Sequence, residues 1–157
     1  MKGKKGSGII LLIVLAIIFF GPTVCMNMVQ KQEEVAFGTS GIYQEEEVKA
    51  LSAQVIALFE SKEYGKIRTE YVDPDVQEQV LEADIQGFAE DVSDDWGAYV
   101  STTSVTVKEM KQMGEYYAGV ITVTKYENVD VRYILYFNDE MKLIGIGLVD
   151  NNDTETE

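Results

Sequence analysis

Two groups of side chains in this sequence are of types that could do chemistry. Asp91, Asp94 and Asp95 cluster beside Trp96, and clustered carboxylates can hold a cation. Tyrosines recur between residues 99 and 136, where they could line a pocket and work with a carboxylate in acid–base catalysis. These tyrosines are Tyr99, Tyr116, Tyr117, Tyr126, Tyr133 and Tyr136. Both groups also have a simpler interpretation, because acidic residues often solvate or cap helix ends and aromatic residues at strand spacing often pack in a core.

The commonest reactive groups are missing from the sequence. It has no histidine, which is the usual general base and metal ligand at neutral pH. Its one cysteine, Cys25, lies in an apolar N-terminal segment and cannot join a nucleophilic pair. No glycine-rich phosphate loop, serine nucleophile motif or acidic metal-loop spacing occurs. We therefore expect no catalytic residue, no metal ion and no cofactor.

Three residues are the candidates for binding a small ligand, namely Asp84, Asp91 and Tyr133. The two aspartates lie on a predicted helix and the tyrosine on a predicted strand. They would meet only if that helix covered the sheet and left a pocket between the two layers. A pocket packed with valine, leucine and phenylalanine would contradict this hypothesis.

The first thirty residues predict a membrane segment. Lys4 and Lys5 precede an unbroken apolar run from Ile9 to Phe20, and no charge follows until Lys31. The twenty residues from Ile9 to Met28 are long enough to cross a hydrocarbon core. Lysines before the run place the N-terminus in the cytoplasm. The residues that we assign to the anchor are Lys4, Lys5, Ile9, Leu12, Leu15 and Phe19.

Three fates of this segment stay open. It could remain as an uncleaved anchor, be cleaved after Cys25, or carry a lipid on Cys25, although Val24 is a poor match to a lipoprotein signal. All three put the main domain outside the cytoplasm. The protein is then a single-pass membrane protein with a cytoplasmic N-terminus, or a secreted or lipid-anchored protein after cleavage.

The chain beyond Gln30 is strongly acidic. It holds ten basic and all 27 acidic residues, a net charge of −17. Such a charge repels phosphate backbones and argues against a nucleic-acid partner. The partners that we expect are the membrane and an envelope or cell-surface protein.

The predicted elements divide the rest of the chain into three parts. Residues 31–43 are polar and contain glycine, which predicts a linker, and residues 150–157 predict a disordered acidic tail. Residues 44–149 predict an α+β domain in which helical spacing gives way to strand-like alternation.

Helix and strand signals define the predicted fold of residues 44–149. Apolar residues recur at helical spacing from Glu45 to Tyr71, and Asp73-Pro74-Asp75 predicts the start of a helix that continues to Val92. From Tyr99 the pattern alternates and is broken by short turns, which predicts four antiparallel strands. The sequence thus predicts an N-terminal transmembrane helix, then about three helices packed on a curved four-stranded antiparallel sheet.

Several segments resemble domain-of-unknown-function family 3887 of Gram-positive bacteria. They are Ala57-Leu58-Phe59 with Glu63-Tyr64-Gly65-Lys66-Ile67, Trp96-Gly97-Ala98-Tyr99, and the hairpin from Tyr136 to Gly145. The hairpin holds Met141 where we expect glycine. The resemblance covers about Glu45 to Val149. It implies a cystatin-like or nuclear-transport-factor-2-like superfold and an exported location, and it brings no established catalytic residue.

Two functions remain compatible with the sequence. The first, which we favour, is a non-catalytic, membrane-tethered extracytoplasmic interaction module that presents the open face or an edge strand of its sheet. The alternative is a small-ligand-binding domain or minor enzyme that uses a cone-shaped pocket between sheet and helices.

Overall fold

Five antiparallel strands form the sheet of this protein, whose computed structural model describes residues 32–154. In chain order they are β1 (Glu33–Val35), β2 (Tyr99–Gln112), β3 (Glu115–Tyr126), β4 (Asp130–Phe137) and β5 (Leu143–Asp150). Each strand pairs with the next, so the order across the sheet equals the order along the chain. The predicted antiparallel meander is confirmed for β2 to β5, and the predicted count of four strands is wrong.

The extra strand, β1, lies within the residues that the sequence assigns to a linker. Its three residues pair with residues 109–111 of β2. Glu33 and Glu34 give β1 no apolar alternation, so its sequence carries no strand signal. The pairing is provided by β2, which is paired with β3 along one edge and offers its other edge to β1.

Glu109 of β2 fixes the loop that follows β1. Its carboxylate is fully buried and accepts the backbone N–H of Gly38 at 3.0 Å and of Ser40 at 2.7 Å. A buried carboxylate is tolerated where such bonds replace its water. The chain is therefore attached to the sheet from Glu33 onward.

Three α-helices are present in residues 32–154: α1 (Glu45–Glu60), α2 (Tyr64–Lys66) and α3 (Glu82–Val92). A five-residue π-helical segment, Ile67–Tyr71, continues α2. α1 begins at the predicted residue, because three glutamates in its first turn complement the helix dipole. It buries Val48, Val55 and Phe59 against the sheet, as the spacing predicts.

The start of α3 differs from the prediction. The helix begins at Glu82 and not at Asp73. The carboxylate of Asp73 does cap a turn by accepting the N–H of Asp75 at 2.8 Å, but that turn does not continue as a helix.

Arg68 and Asp84 explain the delayed start of α3. The guanidinium of Arg68 donates to the carbonyls of Gln77 at 2.7 Å and Val80 at 2.8 Å, groups that a continuous helix would use internally. The N–H of Leu81 donates to the carboxylate of Asp84 at 2.8 Å, which marks the beginning of α3. The contacts of Arg68, which lies outside this segment, and the local cap by Asp84 therefore override the Asp-Pro-Asp signal.

The core lies between the helices and one face of the sheet. Val131, Tyr133, Leu135 and Phe137 of β4 are fully buried there, as their alternation predicts. Ile146 and Leu148 of β5 and Ile67 and Ile85 from the helical layer join the same cluster. The predicted α+β arrangement of three helices on an antiparallel sheet is thus confirmed.

Some predictions fall outside the described residues. These are the transmembrane helix and its residues Lys4, Lys5, Ile9, Leu12, Leu15 and Phe19, together with Cys25. Within residues 32–154, no helix is both long and apolar enough to cross a membrane. At the other end, Asn151–Thr154 forms a 3-10 turn where the sequence predicts a disordered tail, and residues 155–157 are not described.

Candidate functional site

A cleft of about 530 Å³ opens where the C-terminal ends of α1 and α3 meet the start of β2. Aromatic rings form much of its wall, and they belong to Phe59, Tyr64, Trp96, Tyr99 and Tyr126. Charged side chains also line it, and they are Glu60, Lys62, Glu90, Asp94 and Asp95. The cleft thus combines aromatic surface with a surplus of negative charge.

Trp96 is the centre of the aromatic wall. Its ring centroid lies 5.1 Å from that of Tyr126 and 6.2 Å from that of Tyr133, in tilted and edge-on arrangements. Tyr99 packs edge-on against Tyr126 at 6.2 Å, and its side chain is 55% exposed. These are favoured aromatic geometries, and they leave ring surface of Trp96 and Tyr99 open to solvent.

The loop that carries Trp96 is held against the turn between β3 and β4. The carbonyl of Trp96 accepts the N–H of Asn128 at 3.0 Å, and the carboxylate of Glu127 accepts the N–H of Ala98 at 2.8 Å. Gly97 has a φ of +74°, and a Cβ atom there would lie 2.6 Å from the Cβ of Glu127. Glycine is required at this close approach, and the two hydrogen bonds hold the loop that carries Trp96.

A chain of hydrogen bonds lies beneath the aromatic wall. The hydroxyl of Tyr126 donates to the carboxylate of Glu60 at 2.8 Å, and the hydroxyl oxygens of Tyr126 and Tyr133 are 2.7 Å apart. Burial raises the pKa of both phenols well above the ordinary value, and the Glu60 carboxylate adds to the increase for Tyr126. Both phenols are therefore protonated at neutral pH and serve as hydrogen-bond donors rather than as bases.

The three candidate ligand-binding residues lie apart from one another. Asp84 is exposed and binds the N–H of Leu81 at the start of α3. Asp91 is exposed on α3 and does not line the cleft. Tyr133 is fully buried beneath the aromatic wall. The structure does bring the neighbours of Asp91 to the cleft, because Asp94, Asp95 and Trp96 line it.

Sequence reasoning missed Glu60 and Glu90 as residues of the cleft. Glu60 is the last residue of α1 and Glu90 lies in the last turn of α3, and neither helix has a basic residue in its last turn. Acidic residues are unfavourable at the negative end of a helix dipole. That unfavourable placement on two helices is the sequence signal that could have identified them.

The carboxylates at the cleft have separate local partners. Asp95 accepts the N–H of Gly97 at 3.0 Å, and Glu90 accepts the side-chain amide of Gln86 at 2.6 Å. Across the described chain, no three acidic or cysteine side chains are grouped so that they could hold a metal ion. The acidic cluster of residues 91–95 therefore acts partly as a helix end and partly as the rim of the cleft.

The outer edge of β2 is a second distinctive surface. β1 covers only residues 109–111, so no described strand lies beside Tyr99–Lys108 on the outer side. Val100 and Val105 on this stretch are 51% and 42% exposed. The opposite edge of the sheet is partly covered, since Val72 bridges to Leu143 of β5.

Two irregularities interrupt the pairing of β2 with β3. The register shifts between Tyr99 and Ser101 and again between Thr102 and Ser104, which leaves Val100 and Thr103 as bulged residues. Bulges increase local twist and weaken an edge as a template for further pairing. The regular part of the open edge is Ser104–Lys108, directly beside the region covered by β1.

Comparisons with known proteins give a family and a fold. The sequence matches the family described as "Protein of unknown function (DUF3887)" over residues 52–146. The fold is similar to an NMR structure of a protein from Ruminococcus gnavus ATCC 29149, with a TM-score of 0.58 and 23% identity. The similarity covers 67% of this chain and 90% of that chain, and at this identity it concerns the fold alone. No curated protein matches the chain.

Proposed function

The chain belongs to the DUF3887 family of proteins of unknown function, and we propose that it is a non-catalytic, membrane-tethered extracytoplasmic interaction module. It binds an extended segment of an envelope or cell-surface protein along the open edge of β2. The packing of helices on one side of an antiparallel meander is consistent with the cystatin-like or nuclear-transport-factor-2-like superfold that we propose for the domain.

The open edge of β2 is the observation that carries this proposal. Backbone N–H and C=O groups along an edge strand can pair with an added strand, which is a common mode of peptide recognition. From Ser104 to Lys108 the edge is regular, β-branched at three of five positions and free of acidic residues. An added strand there would lie in line with β1 and continue the sheet.

Side chains on the same stretch indicate the chemistry of the partner. Val105 is 42% exposed on the face that points toward the helices, and Lys108 lies near the end of the stretch. An added strand would pack a β-branched or aromatic residue against Val105. The net charge of −17 beyond Gln30 favours a partner segment with basic flanks.

The position of β1 supports a short tether. The predicted membrane segment ends near Gln30, and pairing with β2 begins at Glu33. Glu109 then fixes the loop that contains Gly38 and Ser40. A domain attached in this way stays close to the outer face of the membrane, where it can meet a partner that is itself bound to the envelope.

The buried tyrosines support binding rather than catalysis. Tyr126 and Tyr133 are kept protonated by burial, so neither can accept a proton from a substrate at neutral pH. Glu60 is already engaged by the hydroxyl of Tyr126. Tyr133, Tyr126 and the carboxylate of Glu60 are thus joined in series by hydrogen bonds.

The test is photo-crosslinking of the full-length, C-terminally tagged protein in cells. A photoreactive residue at Thr106, next to Val105 on the open edge, should give a recurrent protein adduct. The same residue at Asp139, in the turn between β4 and β5, is the positional control. The mass of the purified chain also shows whether residues 1–25 are retained.

Two matched variants sharpen this test. Val105→Lys replaces the exposed valine against which an added strand would pack with a charged side chain, and this change should remove the adduct. Val100→Lys changes a valine of similar exposure at a bulge, and the adduct should persist. Equal loss in both variants, or adducts that form equally from Asp139, would contradict strand addition at this edge.

A further inference from the structure

The cleft has a chemical character that the open edge of β2 does not explain. We propose that it binds an organic cation, an ammonium or guanidinium group carried on an apolar stem. Its volume of about 530 Å³ lies within the range of small-molecule sites. The proposal stands on the cleft alone and does not require a partner strand along β2.

The negative charge at the cleft exceeds its positive charge, and no ion pair in the described chain neutralises it. Glu60, Glu90, Asp94 and Asp95 line the cleft together with Lys62. Within residues 32–154 none of the four carboxylates forms an ion pair, because the pairs observed there involve other acidic residues. A cation that entered the cleft would find carboxylates without a charged partner.

The ends of two helices add to this negative potential. α1 ends at Glu60 and α3 ends at Val92, and the residues next to these ends line the cleft. The C-terminal end of a helix carries partial negative charge on its unpaired carbonyls. Both helix dipoles therefore favour a positive charge at this place.

Aromatic faces supply the contact for the apolar part of the ligand. Trp96 is half-buried and Tyr99 is largely exposed, so both rings have open surface toward the cleft. Ring faces attract ammonium and guanidinium groups. In the described part of the chain, the cation over a ring is Lys111 on Tyr116, so no cationic side chain there lies over the ring of Trp96 or Tyr99.

The aromatic wall is fixed before a ligand arrives. Hydrogen bonds from Asn128 and to Glu127 hold the loop of Trp96, and Gly97 allows that loop to approach Glu127 closely. A site that is already ordered loses little conformational entropy on binding. The cleft thus has the charge, the surface and the rigidity that recognition of an organic cation requires.

The experiment uses the full-length chain in a non-ionic detergent and the fluorescence of Trp96, which is the only tryptophan. Choline is the first probe, and 3,3-dimethylbutan-1-ol is its neutral isostere. We expect a saturable change in emission with choline that weakens as salt is added, and no saturable change with the alcohol. N-acetyl-lysine methylamide and N-acetyl-arginine methylamide form the second arm. Tighter binding of these would identify the source as a peptide side chain, and tighter binding of choline would identify a small molecule.

Four variants test the assignment to this cleft. Glu90→Gln should weaken binding about twofold to fivefold, whereas Asp91→Asn, one residue away and outside the cleft, should leave it unchanged. Tyr99→Leu should weaken binding at least about threefold. Lys62→Gln removes the opposing charge and should tighten binding. No saturable response to any cation, equal binding of the neutral alcohol, or equal effects of Glu90→Gln and Asp91→Asn would each overturn the proposal.

Discussion

The hydroxyl oxygens of Tyr126 and Tyr133 lie 2.7 Å apart, and the hydrogen bond between them has a defined direction. The hydroxyl of Tyr126 donates a hydrogen bond to Glu60 at 2.8 Å, so its oxygen accepts the hydrogen bond from the hydroxyl of Tyr133. Tyr133 is fully buried and depends on Tyr126 for this bond, whereas Tyr126 keeps Glu60 if Tyr133 is changed. The two residues therefore contribute unequally to stability.

Tyr126→Phe should destabilise the protein more than Tyr133→Phe. The first change leaves the buried hydroxyl of Tyr133 without a partner, at a cost of about 1–3 kcal/mol. The second removes one hydrogen bond, at about 0.5–1.5 kcal/mol. Urea unfolding of both single variants and of the double variant gives the order and the coupling energy. A larger loss of stability in Tyr133→Phe than in Tyr126→Phe would mean that Tyr126 does not donate its hydrogen bond to Glu60.

Alkaline pH should unfold the protein, because buried tyrosines can ionise readily only in the unfolded chain. Burial raises the pKa of Tyr43, Tyr126 and Tyr133 above the unfolded value of about 10. The stability that these groups contribute is complete below about pH 10 and decreases as the pH rises above it, because the unfolded chain releases protons that the folded chain retains.

Absorbance at 295 nm and circular dichroism, followed together, check this expectation. Tyrosinate from Tyr43, Tyr126 and Tyr133 should appear only as secondary structure is lost, after the exposed tyrosines have ionised. Since the chain has no histidine, stability should change little near neutral pH. Ionisation of all nine tyrosines before any loss of secondary structure would contradict this expectation.

Leu135→Ala should cost about 2–5 kcal/mol in free energy of unfolding, because it creates a cavity in the core. Leu135 is fully buried in β4. Ile134→Ala on the other face of the same strand, where the side chain is half-buried, is the matched control and should cost less. A loss below about 1 kcal/mol for Leu135→Ala would contradict the assignment of this face to the core.

β2 shows where alternation alone fails to assign a face. Val105 and Val107 share a face, as alternation predicts, but Thr102 joins them instead of Thr103, since Thr102 pairs with the buried Thr124. The bulge at Thr103 shifts the face by one residue. Because a bulge depends on the pairing with β3, the local sequence does not reveal it.

The cleft was predictable only in part for a related reason. Clustering along the chain identified Asp94, Asp95 and Trp96, because these residues are adjacent in sequence. Glu60 comes from a different helix and reaches the cleft through tertiary packing, which periodicity does not encode. The buried face of β4 was predictable because its alternation is uninterrupted.

Met113→Asn should stabilise the protein by about 0.5–1 kcal/mol, the usual gain from a substitution that suits the backbone conformation of its site. Met113 and Gly114 form the turn between β2 and β3 with φ values of +53° and +85°, a conformation that favours Asn-Gly. Met113 is 55% exposed, so little packing is lost. Thermal unfolding measures the gain.

Met141→Asn is the matched comparison for Met113→Asn. Met141 also has a positive φ, +60°, at the position where the sequence leads us to expect glycine. Its side chain packs against the core, so relief of backbone strain is offset by lost contacts. An equal gain at both positions would show that the packing of Met141 contributes nothing.

Glu109→Gln should release the loop that joins β1 to α1. The buried carboxylate accepts two N–H groups, from Gly38 and Ser40, and an amide can accept only one of them while its own NH₂ faces the other. The loss of one bond to a charged acceptor should cost about 1.5–3 kcal/mol, and amide hydrogen exchange at Gly38 and Ser40 should accelerate. Glu115→Gln, at an exposed end of β3, is the control and should change neither quantity. Unchanged exchange at both amides in Glu109→Gln would show that β1 alone holds this segment, and the short tether would then not depend on Glu109.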